Sequence, residues 1–403
     1  MLQPNPEKPI SFPLIAKPSV DNDAVPEPTP EAIKHAHDYA NLRRRTGNVA
    51  LTSLVIMSGL GYAYWNDVRQ NIEEVANLKP SVEVIAQPSN PDNLDSATFI
   101  LNGFNTVDAD DYTQTNIEAL QQINDGILVS MHYNNVPLAN GQALYAPMVE
   151  FIEEHDISRI KLGSYSMGDI PAIKLMLKFL QEADIPVEVI EINSGPAGYE
   201  TLRDYRQWEL DFAKLLASVI AGSTDSTFWR IVAELYFYRD SYVKDGVLDP
   251  IKLIEVGIDI KTRFDNGDYT NNSFIMSQID ALETSDIEET IDSMEEYLDD
   301  TQVTVWVYYG TGKGGYDAML DDKESGDLMC EYVIEAGMPC HKFYVKNAVH
   351  AQYWRTKSEF LETTQKAAQL VNPVVEEKRS EFLETRYNAH VLDSLMADDY
   401  APR

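Results

Sequence analysis

Cysteine is nearly absent. Cys330 and Cys340 are the only two in 403 residues. Two thiols are too few for a disulfide-stapled scaffold or a four-cysteine zinc site. Their spacing alone leaves them either bridged or free. Positive charge is the second shortage. The chain has 32 Lys and Arg against 65 Asp and Glu, a formal net charge of −33. A surface this acidic is repelled by phosphate backbones, so no nucleic-acid partner is expected. Metal-ligand spacing is also missing from the His, Cys and carboxylate residues, and no metal is expected. One stretch, Gly310-Thr-Gly312-Lys-Gly-Gly315, fits a dinucleotide-binding glycine pattern. The strand after it carries no acid for a ribose hydroxyl. Lys313 is followed by Gly rather than the Ser or Thr of a phosphate loop. No cofactor is therefore expected.

What the chain does have is organised along its length. Hydrophobic residues make up 44%, the proportion of an ordinary globular protein rather than an acidic tail. Residues 1–45 are Pro-rich and polar at first and read as a disordered arm with a short helix, ending in Arg43-Arg44-Arg45. No charge then occurs between Arg45 and Asp67. That run is long enough to cross a bilayer as a helix, and 46–66 is expected to do so. Tyr62, Tyr64 and Trp65 sit at its far end, where an aromatic belt belongs. The three arginines mark the near end as cytoplasmic. A cleaved signal peptide would need a far longer n-region than usual. The expectation is a cell-membrane protein with one span, the N-terminus inside and the bulk of the chain outside.

Residues 67–96, with Pro80, Pro88 and Pro91, read as a stalk. From Ala97 strands and helices alternate: strands over Thr98–Leu101, Gly126–Met131, Ile157–Leu162, Pro186–Ile192, Val303–Tyr309 and Lys342–Val345, with helices such as Gly141–Glu154 and Asp169–Ala183 between them. This alternation predicts an α/β fold, a mainly parallel sheet with helices on both faces. Residues 97–198 and 301–370 form the two parts of that core. The interval 199–300 contains no convincing strand and reads as a helical cap, including an amphipathic acidic helix over Asp280–Leu298. Residues 371–403 read as a helical extension beginning after Pro373.

The strongest chemical signal is Ser164-Tyr-Ser166-Met-Gly168. An apolar strand runs into it and a helix leaves it at once. A serine on so tight a turn projects its hydroxyl above the sheet near the positive end of the next helix. Small residues are needed two before and two after it, where strand and helix approach closely. Ser164 and Gly168 meet that need, although Gly is usual at the first position.

With these residues in place, the sequence resembles the α/β-hydrolases over about 97–370. The resemblance implies a serine hydrolase and a motif order of Ser, acid, His. Ser166 takes the nucleophile's place. His350, just after the last strand, takes the general base's place; His132, His155, His341 and His390 are placed poorly for it. Asp317 takes the acid's place, further from its strand than usual, with Asp321 in reserve and Glu191 a remote alternative. Backbone N–H groups of Phe104 and Met167 take the place of the oxyanion donors. Asn102 stands where the family usually has His. The implied substrate is a small-molecule or lipid-like acyl compound, an ester, thioester or amide. Aromatic residues of the cap, Trp229, Tyr236, Phe237 and Tyr238, point either to an apolar substrate or to packing within the cap. The alternative is a non-catalytic surface protein of the same fold, binding a partner or cations through its acidic cap. The first 66 residues carry six basic and six acidic residues, so all of the −33 lies beyond the expected span.

Overall fold

The computed structural model describes residues 79–103, 108–123, 125–133, 141–183, 185–203, 207, 235, 238–244, 247–265, 272–298, 304–317, 319–350 and 353–399. The expected arm 1–45 and span 46–66 lie outside them. Among the described residues, no helix is long and apolar enough to cross a membrane.

Seven strands form one sheet: β1 (Ser81–Ala86), β2 (Ser96–Leu101), β3 (Ile127–His132), β4 (Arg159–Tyr165), β5 (Val187–Asn193), β6 (Val305–Thr311) and β7 (Cys340–Val345). Their order across the sheet is β1-β3-β2-β4-β5-β6-β7. Every pairing is parallel except β1 with β3. The main helices are α1 (Asp110–Leu120), α2 (Gly141–Glu154), α3 (Asp169–Glu182), α4 (Pro250–Asp265), α5 (Asn272–Thr284), α6 (Ile287–Asp292), α7 (Asp322–Glu335) and α8 (Lys357–Asp399). This mixed α/β architecture is consistent with the α/β-hydrolase fold that the resemblance implies.

The central strands are buried on both faces, so they read as near-continuous buried runs; β2 and β5 are buried throughout. Successive side chains still alternate between two cores. Phe99, Leu162, Trp306 and Tyr308 pack with Met176 and Phe179 of α3 and Met329 of α7. Ile100, Val189, Val307 and Tyr309 pack on the other face with Tyr112 of α1 and Phe360 and Val371 of α8.

Four elements differ from the sequence reading. The interval 199–300, read as free of strands, carries a short antiparallel pair, Val243–Lys244 with Val247–Leu248, a hairpin too brief to leave an apolar alternation in the sequence. The stretch read as a stalk, 67–96, contains β1, an edge strand whose residues are mostly exposed or half-buried. An edge strand needs one bonded neighbour only, so the flanking prolines do not prevent it. The helix expected over Asp280–Leu298 is broken. α5 ends at Thr284, and Asp286 caps α6 by accepting from the Glu289 N–H at 2.9 Å. Ile287, Ile291 and Met294 then join the main core, with α6 packed on α3 and α7. Finally, no new helix begins after Pro373, because α8 runs straight through it. The ring removes one backbone bond. Buried Val371 and Val375 hold the helix on either side of it, and Asn372 Nδ2 donates to the Gln122 carbonyl at 3.1 Å.

The structure bridges Cys330 of α7 to Cys340 of β7, with Cα atoms 5.4 Å apart. Lys161 of β4 is fully buried. Its Nζ donates to the carbonyls of Leu120 (3.0 Å) and Ile123 (2.5 Å) and to Glu191 Oε1 of β5 (3.3 Å). Burial raises the Glu191 pKa and Lys161 opposes that rise. Lys161→Met strands a buried carboxylate and should cost ~3–5 kcal/mol of unfolding free energy. Urea titration reads this, and a loss below about 1 kcal/mol would show that the pair contributes little.

Candidate active site

β4 delivers Ser166 to the end of the sheet. Tyr165 is still extended, at φ −136° and ψ 142°. Ser166 then turns into the left-handed region at φ 53°, and α3 starts three residues later. A non-glycine residue there is strained, and the surroundings hold it in place. The close approach explains the small neighbours. A Cβ on Gly168 would lie 2.6 Å from the carbonyl oxygens of Leu101 and Asn102. Ser164 is tolerated where Gly is usual because its Oγ donates to the Glu191 carbonyl at 3.2 Å.

Ser166 Oγ lies 2.7 Å from His350 Nε2. His350 Nδ1 lies 2.6 Å from Asp317 Oδ2. Asp317 is buried and His350 is partly open, with side-chain exposures of 2% and 15%. The other Asp317 oxygen accepts the N–H groups of Met319 (2.7 Å) and Leu320 (2.9 Å). Burial alone would raise the Asp317 pKa. The facing His350 ring and the hydrogen bonds outweigh it and hold the carboxyl below its usual value. An ionised Asp317 takes the Nδ1–H of His350 and leaves Nε2 as the acceptor for the Ser166 hydroxyl.

The glycine run explains why Asp317 sits so far from its strand. Gly312 N–H donates to the Val345 carbonyl at 2.7 Å, and Tyr316 N–H to the Ala348 carbonyl at 3.0 Å. A Cβ on Gly315 would lie 2.2 Å from that Ala348 carbonyl. The loop therefore lies flat against the segment that carries His350 and releases Asp317 at its far end. Arg203 Nε closes the loop by donating to the Asp317 carbonyl at 2.7 Å.

The other candidates are occupied elsewhere. Asp321 caps α7 by accepting from the N–H groups of Lys323 and Glu324. Glu191 faces Lys161. His132 Nε2 is 2.9 Å from Asp110, and His155 Nδ1 is 3.0 Å from the Phe151 carbonyl. His341 lies in β7, and the His390 side chain is outside the described residues. Of the two residues expected to supply oxyanion donors, Met167 follows Ser166 and is buried, whereas Phe104 lies outside the described residues. So do Trp229, Tyr236 and Phe237; Tyr238 packs on a small cluster of Leu235, Tyr242, Leu253 and Ile260. Glu83, Asp110 and His132 bring three potential cation ligands within 4.8 Å of one another. They come from β1, α1 and β3, so linear spacing could not show them.

Sequence reasoning missed a second buried carboxylate. Asp322 accepts from the Thr311 N–H at 2.8 Å and faces Tyr308 and Asp317. Burial and the Asp317 charge push its pKa up to about 7. The folded state therefore keeps a proton that an ordinary carboxyl, at 3.8, has already lost. Across that window this group's contribution to stability falls as pH rises. Asp322→Asn mimics the protonated form. Its melting temperature relative to wild type should rise from about pH 5 to about pH 8. A constant difference would contradict this.

No protein-family description matches the chain, and no curated protein matches it. Solved structures do. An esterase from Exiguobacterium antarcticum is 14% identical with a TM-score of 0.43, covering 72% of this chain and 94% of its own. A hydrolase from Oleispira antarctica is 10% identical at 0.45, covering 75% and 97%. An enol-lactonase from Burkholderia xenovorans LB400 is 11% identical at 0.44, covering 70% and 94%.

Proposed function

We propose that the chain is a membrane-tethered serine hydrolase that cleaves an ester, thioester or amide through an acyl-enzyme on Ser166. The observation that carries this reading is the continuous chain from Ser166 Oγ to His350 Nε2 (2.7 Å) and from His350 Nδ1 to Asp317 Oδ2 (2.6 Å). Ser166 Oγ adds to the substrate carbonyl carbon as its proton passes to His350 Nε2. Asp317 stabilises the resulting imidazolium. The N–H groups of Phe104 and Met167 receive the developing oxyanion. His350 returns the proton to the leaving group as the carbon–leaving-group bond breaks. Water then repeats the sequence on the acyl-enzyme and frees Ser166. The substrate class is a small-molecule or lipid-like acyl compound.

The tether reading rests on the uncharged run 46–66 and the arginines before it. The Cys330–Cys340 bridge supports an oxidising compartment for the domain. A domain this acidic would not adhere to an anionic membrane unaided, which gives the tether a purpose.

A partition experiment tests the acyl-enzyme. Phenyl and p-nitrophenyl esters of one acid are cleaved in the presence of hydroxylamine. A shared acyl-enzyme yields the same ratio of hydroxamate to acid from both esters. A ratio that follows the leaving group contradicts it. For the tether, the full chain should remain with membranes after alkaline carbonate washing. Release into the supernatant would remove the span from the account.

A further inference from the structure

Two consecutive aspartates meet at the start of α7 and face opposite ways. Asp321 is exposed and caps the helix. Asp322 is buried and turns inward to the triad acid. Its Oδ2 accepts from the Thr311 N–H at 2.8 Å, and its Oδ1 lies 3.4 Å from Tyr308 OH. Gly310 makes room for it: a Cβ there would lie 3.1 Å from Asp322 Cβ. The titratable groups around it are Asp317, His350, Tyr308, Tyr344 and Tyr353. None of these carries a fixed positive charge. The side chains of Asp322 and Asp317 are hydrogen-bonded to each other.

An ionised carboxylate only accepts, so a hydrogen bond between two carboxyl groups needs a proton. Two buried like charges in contact do not both ionise, and the pair keeps one proton between them. Asp317 accepts the N–H groups of Met319 and Leu320 and faces the His350 ring, three contacts that favour its charged form. Asp322 accepts one backbone N–H and has only the longer Tyr308 contact besides. The proton therefore belongs on Asp322. We propose that Asp322 is a positioning residue for the triad acid: its protonated carboxyl donates to Asp317 and holds that carboxylate, with the pair's single charge, in line with His350. This rests on the serine-hydrolase reading and deepens it. The grip has a pH limit, because Asp322 ionises at about 7. Above that its donor is gone and two adjacent buried carboxylates repel, so Asp317 loses its alignment as pH rises.

The test uses the full chain with Asp322→Asn and Asp322→Leu. It reads kcat and KM on a p-nitrophenyl ester from about pH 6 to about pH 9. Asparagine keeps both roles at every pH: its amide oxygen accepts from Thr311 and its NH₂ donates to Asp317. Leucine keeps neither. At about pH 6, Asp322→Leu should lose roughly 10-fold in kcat, the weight of one hydrogen bond to a charged group, with KM within about two-fold. At the same pH, Asp322→Asn should restore kcat to within about three-fold of wild type. His350 titrates in wild type and Asp322→Asn alike, so their kcat ratio isolates Asp322. That ratio, wild type over Asp322→Asn, should fall by roughly 10-fold as pH rises across the range. Its midpoint should lie at about 7. A ratio that stays constant with pH would overturn the proposal. Equal losses in Asp322→Asn and Asp322→Leu at the acid end would do the same and mark a packing residue. If Asp322→Leu does not fold, the ratio still decides. Turnover that requires Ser166 but shows a constant ratio sinks this proposal only. Turnover that survives Ser166→Ala sinks the hydrolase reading, and this proposal with it.

Discussion

Ser166→Ala should lower kcat by ~10⁶ while leaving the fold intact, the scale seen when a triad serine is removed. The substitution deletes one oxygen. Alanine retains the Cβ, so the left-handed turn at φ 53° costs the variant what it costs the wild type. The residues that make the turn sterically feasible, Gly168 and Gly103, are untouched. The melting temperature should therefore stay within a few degrees, and the loss should appear in kcat rather than KM. Residual activity of ~10³–10⁴ over water, from substrate binding and the oxyanion donors, would be consistent with this account. A variant that turns over at the wild-type rate would remove Ser166 from the chemistry.

Asp317→Asn should cost ~10⁴ in kcat at neutral pH, because it leaves the geometry but reverses the tautomer. The amide oxygen can still accept from the Met319 and Leu320 N–H groups, which lie 2.7 and 2.9 Å from Asp317 Oδ1. Its NH₂ then faces His350 Nδ1, 2.6 Å from the atom it replaces. An NH₂ can only donate there, which makes Nδ1 an acceptor and places the ring proton on Nε2. That proton points at Ser166 Oγ, and the base can no longer take the serine's proton. Asp321→Asn is the control. Its side chain caps α7, and asparagine also caps helices, so kcat should stay within about two-fold. Equal losses in the two variants would show that the loop matters only as structure.

The residues that meet at the candidate site were more legible in the sequence than the contacts that support them. Ser164-Tyr-Ser166-Met-Gly168 joins a strand to a helix over five residues, and local sterics alone restrict what such a turn can be. His350 could be placed because it follows the last strand directly. Asp317 was harder. Its distance from β6 makes sense only once Gly312 and Gly315 are seen against Val345 and Ala348, a contact between loops far apart in sequence. Asp322 and Lys161 were invisible as partners for the same reason. Each acts through a residue that the fold, not the chain, places beside it. β1 was missed because an exposed edge strand lacks the apolar run of its neighbours. The continuity of α8 was missed because Pro373 is a local breaker, while the packing of Val371 and Val375 that overrides it is tertiary.

Fluorophosphonate labelling followed by mass spectrometry of the peptides tests the central claim most directly. The probe reacts with a serine hydroxyl that has a base to take its proton and donors to hold the tetrahedral oxygen. The account predicts one modified peptide, carrying the label on Ser166, with labelling lost in Ser166→Ala and strongly slowed in Asp317→Asn. Folded wild-type protein that takes up no label, or label that persists in Ser166→Ala, would contradict it.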